Sequence, residues 1–210
     1  EDDFYGVSGL LDSDGQKRGS LPLDSTDNNS DLYFDRYSRF GASGLAGVWA
    51  EENTRESIYD AMRRKETFGT SGPRLKIRFF AGHDLPLVDD DDLIAKSYSN
   101  GVSMGGNLIA EDTQPFAFIA WAAKDPNSAP LQRLQIVKGW VDAGQAHERV
   151  YDVACADGLE VDSLTHRCPG NGATVDLTDC RVSSGVGAAE IKANWEDPEY
   201  DSTQHAFYYV

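Results

Sequence analysis

The sequence predicts a mixed α/β and β fold, in which a strand–helix unit is followed by a β-sandwich-like domain. Two observations support this prediction. Residues 44–80 have the pattern of strand, capped helix, turn and strand, beginning with the apolar run Leu45–Ala50. After Phe80, about six strand-like segments follow at the spacing typical of a β-sandwich. We therefore expect a first domain over residues 1–73 and a β-rich domain over residues 74–210.

The helix of the first domain is marked by a capping box. Asn53 is followed three residues later by Glu56, and apolar residues recur at helical spacing after that pair. This pattern predicts a helix over about residues 54–65. Glycine and proline then end the helix, and apolar and basic residues alternate over residues 75–79, which indicates a half-buried strand.

The β-rich domain is predicted from strand-like runs. Phe116–Ala123 is apolar on both faces, so we expect a central strand that is covered on both sides. Residues 187–195 suit a strand or a helix, because the alternating residues include alanines. A turn at Asp197–Pro198 favours the strand. Further strands are predicted at residues 134–141, 148–154 and 205–210.

Two acidic segments have less regular patterns. Residues 1–40 are rich in Asp, Asn, Ser and Gly and predict a long irregular segment. Calcium binding there, by Asp12, Asp14, Asp24 or Asp27, is the alternative to a hydrated loop. The run Asp89–Asp92 lies in a region predicted to be β throughout, and we expect it to be solvated unless a cation or a basic partner lies there.

Charge and hydropathy exclude two classes of partner. The 210 residues include 35 acidic and 19 basic ones, a formal charge of −16, which repels nucleic-acid phosphates. No apolar window approaches the roughly 20 residues needed to cross a bilayer. The chain opens with Glu1-Asp2-Asp3 and stops within an apolar strand pattern, so we expect both ends to be cut and the β-rich domain to be truncated.

The three cysteines favour a disulfide over a structural zinc site, because no pair has the short CxxC spacing. Cys155 and Cys168 would close a loop, which stabilises a fold by about 3 kcal/mol in the chain-entropy model. Cys180 is then left over. Three reduced, buried cysteines are the alternative. A disulfide favours an oxidising, periplasmic or secreted location.

Four polar residues between the first strand and the helix are the main candidates for chemistry. If Leu45–Trp49 is a parallel strand, Glu51, Glu52, Asn53 and Arg55 emerge at its carboxyl end, where (β/α) barrels build their active sites. A carboxylate there can ligate a metal, orient a metal-bound water or take its proton, and Arg55 at a helix N-terminus can hold a substrate anion. The alternative is helix capping and dipole compensation, which the spacing also explains.

Two weaker sets of candidates complete the search. Arg74, after a glycine–proline turn, is a candidate substrate-binding residue at the same rim, together with Asn53. The four histidines lack partners at ligand spacing, apart from Asp84 beside His83, so we expect ordinary solvated or hydrogen-bonded imidazoles. No phosphate-binding glycine motif, GxSxG, HExxH or CxxC is present.

Six strings along the chain carry a resemblance to a known family. They are GLAGVWAEENTRESIYDAMRRKETFGTSGPRLKIRFF, SMGGNL, KDPNSAPLQRLQIVKGW, VYDVACADG, HRCPGNGATVDLTDC and WEDPEYDSTQHAFYYV. The chain resembles the C-terminal region of a large bacterial family, a domain of unknown function, related to the PHP (polymerase and histidinol phosphatase) metal-dependent hydrolases.

The resemblance implies a fold and an activity. Residues 44–73 would include the last strand and helix of a PHP-like barrel, followed by a β-sandwich. The parent protein would use divalent metals to hydrolyse a small-molecule ester or phosphoester. Family members continue before Glu1 and after Val210, and they carry a further cysteine after the last strand. The HxH and DxH ligand motifs have no match here, so the resemblance implies that the chain alone is inactive and that its partner is the remainder of the parent chain.

A second function from another class stays open. The chain can instead be an exported β-rich binding or structural module that is stabilised by calcium. In that interpretation, Asp89–Asp92 and the N-terminal acidic loop bind the ion, and aromatic residues contact a glycan or a protein. A calcium-dependent thermal midpoint would distinguish this module from the hydrolase.

Overall fold

The computed structural model describes residues 44–110, 113–179 and 181–210. The chain divides into two compact units, residues 1–45 with 69–73 and residues 46–68 with 74–210. The expectations for residues 1–43, including the four aspartates considered for calcium, lie outside the described residues, as does the expectation for Cys180. The boundary between residues 73 and 74 stays a prediction.

The described residues form nine strands and two helices. In chain order they are β1 Leu45–Val48, α1 Arg55–Arg63, β2 Thr67–Thr70, β3 Lys76–Gly82, α2 Leu93–Asn100, β4 Val102–Ser103, β5 Ala117–Ala123, β6 Arg133–Asp142, β7 Gln145–Cys155, β8 Glu190–Glu196 and β9 Ala206–Tyr209. The strand orders are β1-β2, β4-β3-β5-β8 and β7-β6-β9. The pairs in the two larger sheets are antiparallel. The prediction of a β-rich domain is confirmed.

The two larger sheets pack face to face around one apolar core. Side chains alternate along β5, so Phe118 and Ala120 point into this core. Ile119 points to the opposite face, where it packs with Phe80 and Leu93. Both faces of β5 are therefore covered, as its unbroken apolar run predicted.

The first strand differs from the expected one. β1 ends at Val48 and lies in a two-stranded sheet with β2. The backbone N–H of Trp49 donates to the Glu66 carbonyl at 2.9 Å, and a Cβ at Gly47 would collide with the ring of Phe68, so the two strands run antiparallel. A barrel strand has a parallel neighbour on each side. The described residues form no closed barrel.

The N-terminal cap of α1 lies one residue later than predicted. Thr54 has extended backbone angles, and its hydroxyl accepts the backbone N–H of Ser57 at 3.3 Å. The capping box of Asn53 and Glu56 is therefore wrong. Because Thr54 and Ser57 have the same three-residue spacing, the sequence offered two registers, and a hydroxyl at the second one makes the bond.

The expectation that the region after Phe80 is β throughout is also wrong, because α2 lies there. Leu93 and Ser97 are one helical turn apart and both are buried, which defines the inner face of α2. The ammonium of Lys96 donates to Asp90 at 2.6 Å and holds the pKa of that carboxyl below its usual range. Part of the acidic run is therefore neutralised within the chain.

The later strands lie close to their predicted positions, and residues 190–196 form a strand, not a helix. A disulfide joins Cys155 to Cys168 with a Cα–Cα distance of 5.7 Å, which confirms the predicted pairing. Neither of the described helices is long and apolar enough to span a membrane.

Candidate functional site

The turn between β1 and α1 brings four of the five candidate site residues into one exposed stretch. Glu51, Glu52, Asn53 and Arg55 are all exposed. None of their side chains forms a hydrogen bond or an ion pair with another described residue. Two bonds from backbone N–H groups to hydroxyls shape the turn: the N–H of Glu52 donates to Ser57 at 3.2 Å, and the N–H of Ser57 donates to Thr54 at 3.3 Å. Within the described part of the chain, these four side chains are therefore exposed and unbonded.

The fifth candidate, Arg74, has a structural role through its backbone. Its N–H donates to the carboxylate of Asp125 at 2.8 Å, and the N–H of Asn127 donates to the same carboxylate at 2.9 Å. These two bonds lower the pKa of Asp125. The side chain of Arg74 is exposed, and no contact between described residues joins it to the β1–α1 turn.

A cluster that the sequence did not indicate fixes the strand end before the turn. The guanidinium of Arg78 lies 3.8 Å from the ring centroid of Trp49 and donates to the hydroxyl of Tyr98 at 3.0 Å. That hydroxyl donates to Glu66 at 2.7 Å, and burial, followed by this bond, raises the pKa of Tyr98. The indole N–H of Trp49 donates to the Ile77 carbonyl at 2.8 Å. The turn thus starts from a fixed residue.

A second polar network lies between the two large sheets. The ammonium of Lys138 on β6 donates to Asp197 at 2.5 Å and to the Glu199 carbonyl at 2.7 Å. The hydroxyl of Tyr208 donates to Asp197 at 2.7 Å, and that of Tyr151 donates to Glu199 at 2.9 Å. Burial, followed by these hydrogen bonds, raises the pKa of both tyrosines. The network ties all three strands of one sheet to the segment after β8.

That buried network offers little to a ligand. The side chains of Lys138 and Asp197 are 2% and 0% exposed. Their donors and acceptors are used by each other, by Tyr208 and by backbone groups. Lys138 lies on the same face of β6 as the buried residues Leu134 and Ile136. Sequence reasoning missed the network because Asp197, the partner of this lysine, lies 59 residues away in the chain.

A groove opens between the two large sheets, with a volume of about 630 Å³. Its floor includes Phe79, Phe118 and Tyr208, and its rim includes Asp201 and His205. The remaining sides come from β4 and the residues that follow it, and from the loop before β9. This size is typical of ligand sites.

The residues that could hold a metal are spread apart. Among the described residues, no group of three His, Cys, Asp or Glu side chains is placed to bind a metal ion. Three histidines lie against aromatic rings: His83 is tilted on Phe116 at a centroid distance of 4.5 Å, His147 stacks on Trp140 at 5.3 Å, and His166 lies edge-on to Tyr151 at 5.3 Å. The described residues therefore do not fit a divalent metal centre.

Comparisons with known proteins identify the family. No curated protein and no solved structure matches the chain. One family model matches residues 1–210, and its description assigns no activity. The relationship to PHP hydrolases is not tested by this match and stays a prediction. The chain belongs to the family described as "Protein of unknown function (DUF3604)".

Proposed function

We propose that this chain is the C-terminal part of a metal-dependent hydrolase of esters or phosphoesters, with the β1–α1 turn facing the substrate. The observation that carries the proposal is the exposed set of Glu51, Glu52 and Arg55, whose side chains form no bond with other described residues. Compensation of the helix dipole would also leave these carboxylates unpaired, so the binding and activity tests below separate that structural role from the proposed one. In this proposal, β1 and α1 are the last strand and helix of a PHP-like barrel, and β1 joins that barrel through the edge that does not pair with β2.

Each residue of the turn has a chemical role in the proposal. Arg55, in the first turn of α1, binds the anionic group of the substrate, and the N-terminal N–H groups of the helix assist it. Glu51 or Glu52 orients the attacking water or takes its proton. Asn53 and Arg74 donate hydrogen bonds to other oxygens of the substrate.

The metal ions of such an enzyme have to be held from outside the described residues. No three-ligand group exists among residues 44–110, 113–179 and 181–210, so these residues supply no metal-dependent step. The partner that completes the site is the remainder of the parent chain. Alone, residues 1–210 bind the substrate anion and do not turn it over.

Titration of phenyl phosphate into residues 1–210 tests the anion site. We expect saturable binding that Arg55→Ala weakens at least tenfold, because the guanidinium supplies the charge-assisted hydrogen bonds. Arg64→Ala is the matched control, since Arg64 is exposed at the other end of the same helix and should not change binding. Equal loss in both variants, or no binding at all, would contradict the proposal.

The complete enzyme tests the carboxylates. We expect Glu51→Gln or Glu52→Gln to lower kcat about 100-fold, the size of a general-base contribution. Glu56→Gln is the control, because Glu56 is exposed on α1 beyond the turn. Unchanged kcat in both turn variants would remove them from the mechanism. Turnover of p-nitrophenyl phosphate by residues 1–210 alone would show that no further ligands are needed.

A second candidate function is an exported, calcium-stabilised binding module. The disulfide between Cys155 and Cys168 favours it, because such bonds persist in oxidising compartments. The acidic run offers Asp89, Asp91 and Asp92, whose carboxylates have no bonded cation among the described residues. Thermal melts with 5 mM calcium or with EDTA separate the two functions, since a ligand of the native state raises the midpoint. An unchanged midpoint would reject the module.

A further inference from the structure

The two large sheets of the sandwich are unequal in width. One has four strands, in the order β4-β3-β5-β8, and the other has three, in the order β7-β6-β9. Trp195 on β8 packs on Tyr151 of β7, with centroids 5.1 Å apart, and Phe118 on β5 packs on Tyr208 of β9 at 4.6 Å. Beyond β9, no described strand faces β3 and β4.

The groove lies beside β9, where no described strand faces β3 and β4. Phe79 and Ala81 of β3 and Val102 and Ser103 of β4 line one side, and residues 206–208 of β9 line the other. A four-residue strand is about 13 Å long, and strand and sheet spacings of about 4.8 and 10 Å give it roughly 600 Å³ between two sheets. The groove, at about 630 Å³, therefore has room for one short strand.

The edge of β9 provides the hydrogen-bonding groups for such a strand. On one side, Ala206–Tyr209 pairs with residues 137–140 of β6. On the other side, no strand within the described residues pairs with it. Alternate backbone N–H and C=O groups at a free edge are a template for a further strand.

We propose that the groove binds an extended segment of a partner protein, which adds a fourth strand beside β9. Its alternate residues are apolar and point between the sheets, toward Phe79 and Phe118. Those two rings are only 5% and 2% exposed, so they can contact the tips of inserted side chains but cannot offer a face to a stacked sugar or aryl ligand.

The charges around the groove define the partner further. Asp201 is the only carboxylate among the described lining residues, and these include no lysine or arginine. The chain as a whole carries a charge of −16. The inserted side chains are therefore uncharged, and a lysine or arginine at the end of the segment near Asp201 assists binding. This inference does not depend on the hydrolase proposal.

Labelled nine-residue peptides test the proposal. Three probes alternate threonine with valine, isoleucine or leucine and end in lysine, and their binding to residues 1–210 is followed by fluorescence anisotropy. We expect saturable binding by at least one probe, and slower amide hydrogen exchange over residues 206–209. N-methylation of alternate amides in the same peptide should weaken binding at least tenfold, because it removes the backbone donors.

Two matched surface variants locate the site. Ile109 lines the groove and is 83% exposed, whereas Leu177 is 90% exposed and does not line it. We expect Ile109→Asp to weaken peptide binding at least fivefold and Leu177→Asp to leave it unchanged, with both variants keeping the wild-type thermal midpoint.

Four results would overturn the proposal. They are the absence of binding by all three probes, equal binding of the N-methylated peptide, equal loss in the two variants, and concentration-dependent dimerisation that protects residues 206–209. The last result would mean that a second copy of the chain occupies the groove.

Discussion

Charged side chains are used in opposite ways in the β1–α1 turn and in the interior of the sandwich. Glu51, Glu52 and Arg55 are exposed and form no bond with other described residues. Lys138 and Asp197 are almost fully buried and are bonded to each other, to Tyr208 and to backbone groups. Buried charges that are paired hold a fold in one arrangement, whereas exposed unpaired ones cost the fold little and remain free for a ligand.

The largest expected effect comes from breaking the buried pair. Asp197→Ala should destabilise the chain by about 3–5 kcal/mol, because it leaves the ammonium of Lys138 buried without its carboxylate. The free energy of unfolding in urea at pH 7 measures this loss. The double variant with Lys138→Met and Asp197→Asn should lose less free energy of unfolding than the sum of the losses in Lys138→Met alone and Asp197→Asn alone.

The control for this pair is Tyr208→Phe, which removes one hydrogen bond to Asp197 and keeps the ring. We expect it to cost about 1 kcal/mol. A cost below 1 kcal/mol for Asp197→Ala would mean that water reaches the pair, and the contrast between the turn and the interior would then fail.

A smaller loss of stability is expected from changing Asp152, a buried carboxylate on β7, in the sheet that also contains Lys138. It accepts from Arg133 at 3.1 Å, from Gln135 at 2.7 Å and from the backbone N–H of Cys168 at 2.7 Å. Burial acts to raise the pKa of Asp152, but the bonds from Cys168 and Gln135 and the charge of Arg133 outweigh it and lower the pKa. The ionised form is therefore favoured in the folded state.

The sign of the pH dependence follows from that lowered pKa. The stabilisation is fully present above the unfolded-state pKa of about 3.9 and is lost as the pH falls through the lower folded-state value. Asp152→Asn should lower the free energy of unfolding in urea by about 2 kcal/mol at pH 7 and by distinctly less at pH 3, relative to the wild type. Asp142→Asn, at an exposed position on β6, should cost little at either pH. If the free energies of unfolding of wild type and Asp152→Asn differ by the same amount at both pH values, the lowered pKa of Asp152 is not the cause of the stabilisation.

The contrast between turn and interior also explains what could be predicted from the sequence. A run such as Phe116–Ala123 can be identified as a strand from its own residues, because its length and apolar composition are typical of a buried strand. The Lys138–Asp197 pair joins residues 59 apart, and it depends on which strands face each other across the sandwich. The groove depends in the same way on the unequal widths of two sheets. No local pattern contains that information.

Errors within local structure had a different cause. The helix α2 was missed because the acidic run Asp89–Asp92 suggested a solvated loop, although the burial of Leu93 and Ser97 shows a helical spacing. Of the candidate site, the exposed turn was predictable because strand ends and helix starts are marked by capping residues. The contact between Trp49 and Arg78 that fixes it joins the end of β1 to β3, a strand of another sheet, and local sequence patterns do not contain that packing.

The smallest expected effect concerns the cap of α1, at the C-terminal side of the same turn. Thr54→Ala should lower the free energy of unfolding by about 1 kcal/mol, because it removes the acceptor of the Ser57 N–H. Asn53→Ala should change it by less than about 0.5 kcal/mol, since this exposed side chain has no bond to another described residue. Thermal and urea unfolding of the two variants measure the difference. The reverse order would place the cap at Asn53, which would then be a stabilising residue and no longer one that the turn leaves free for a ligand.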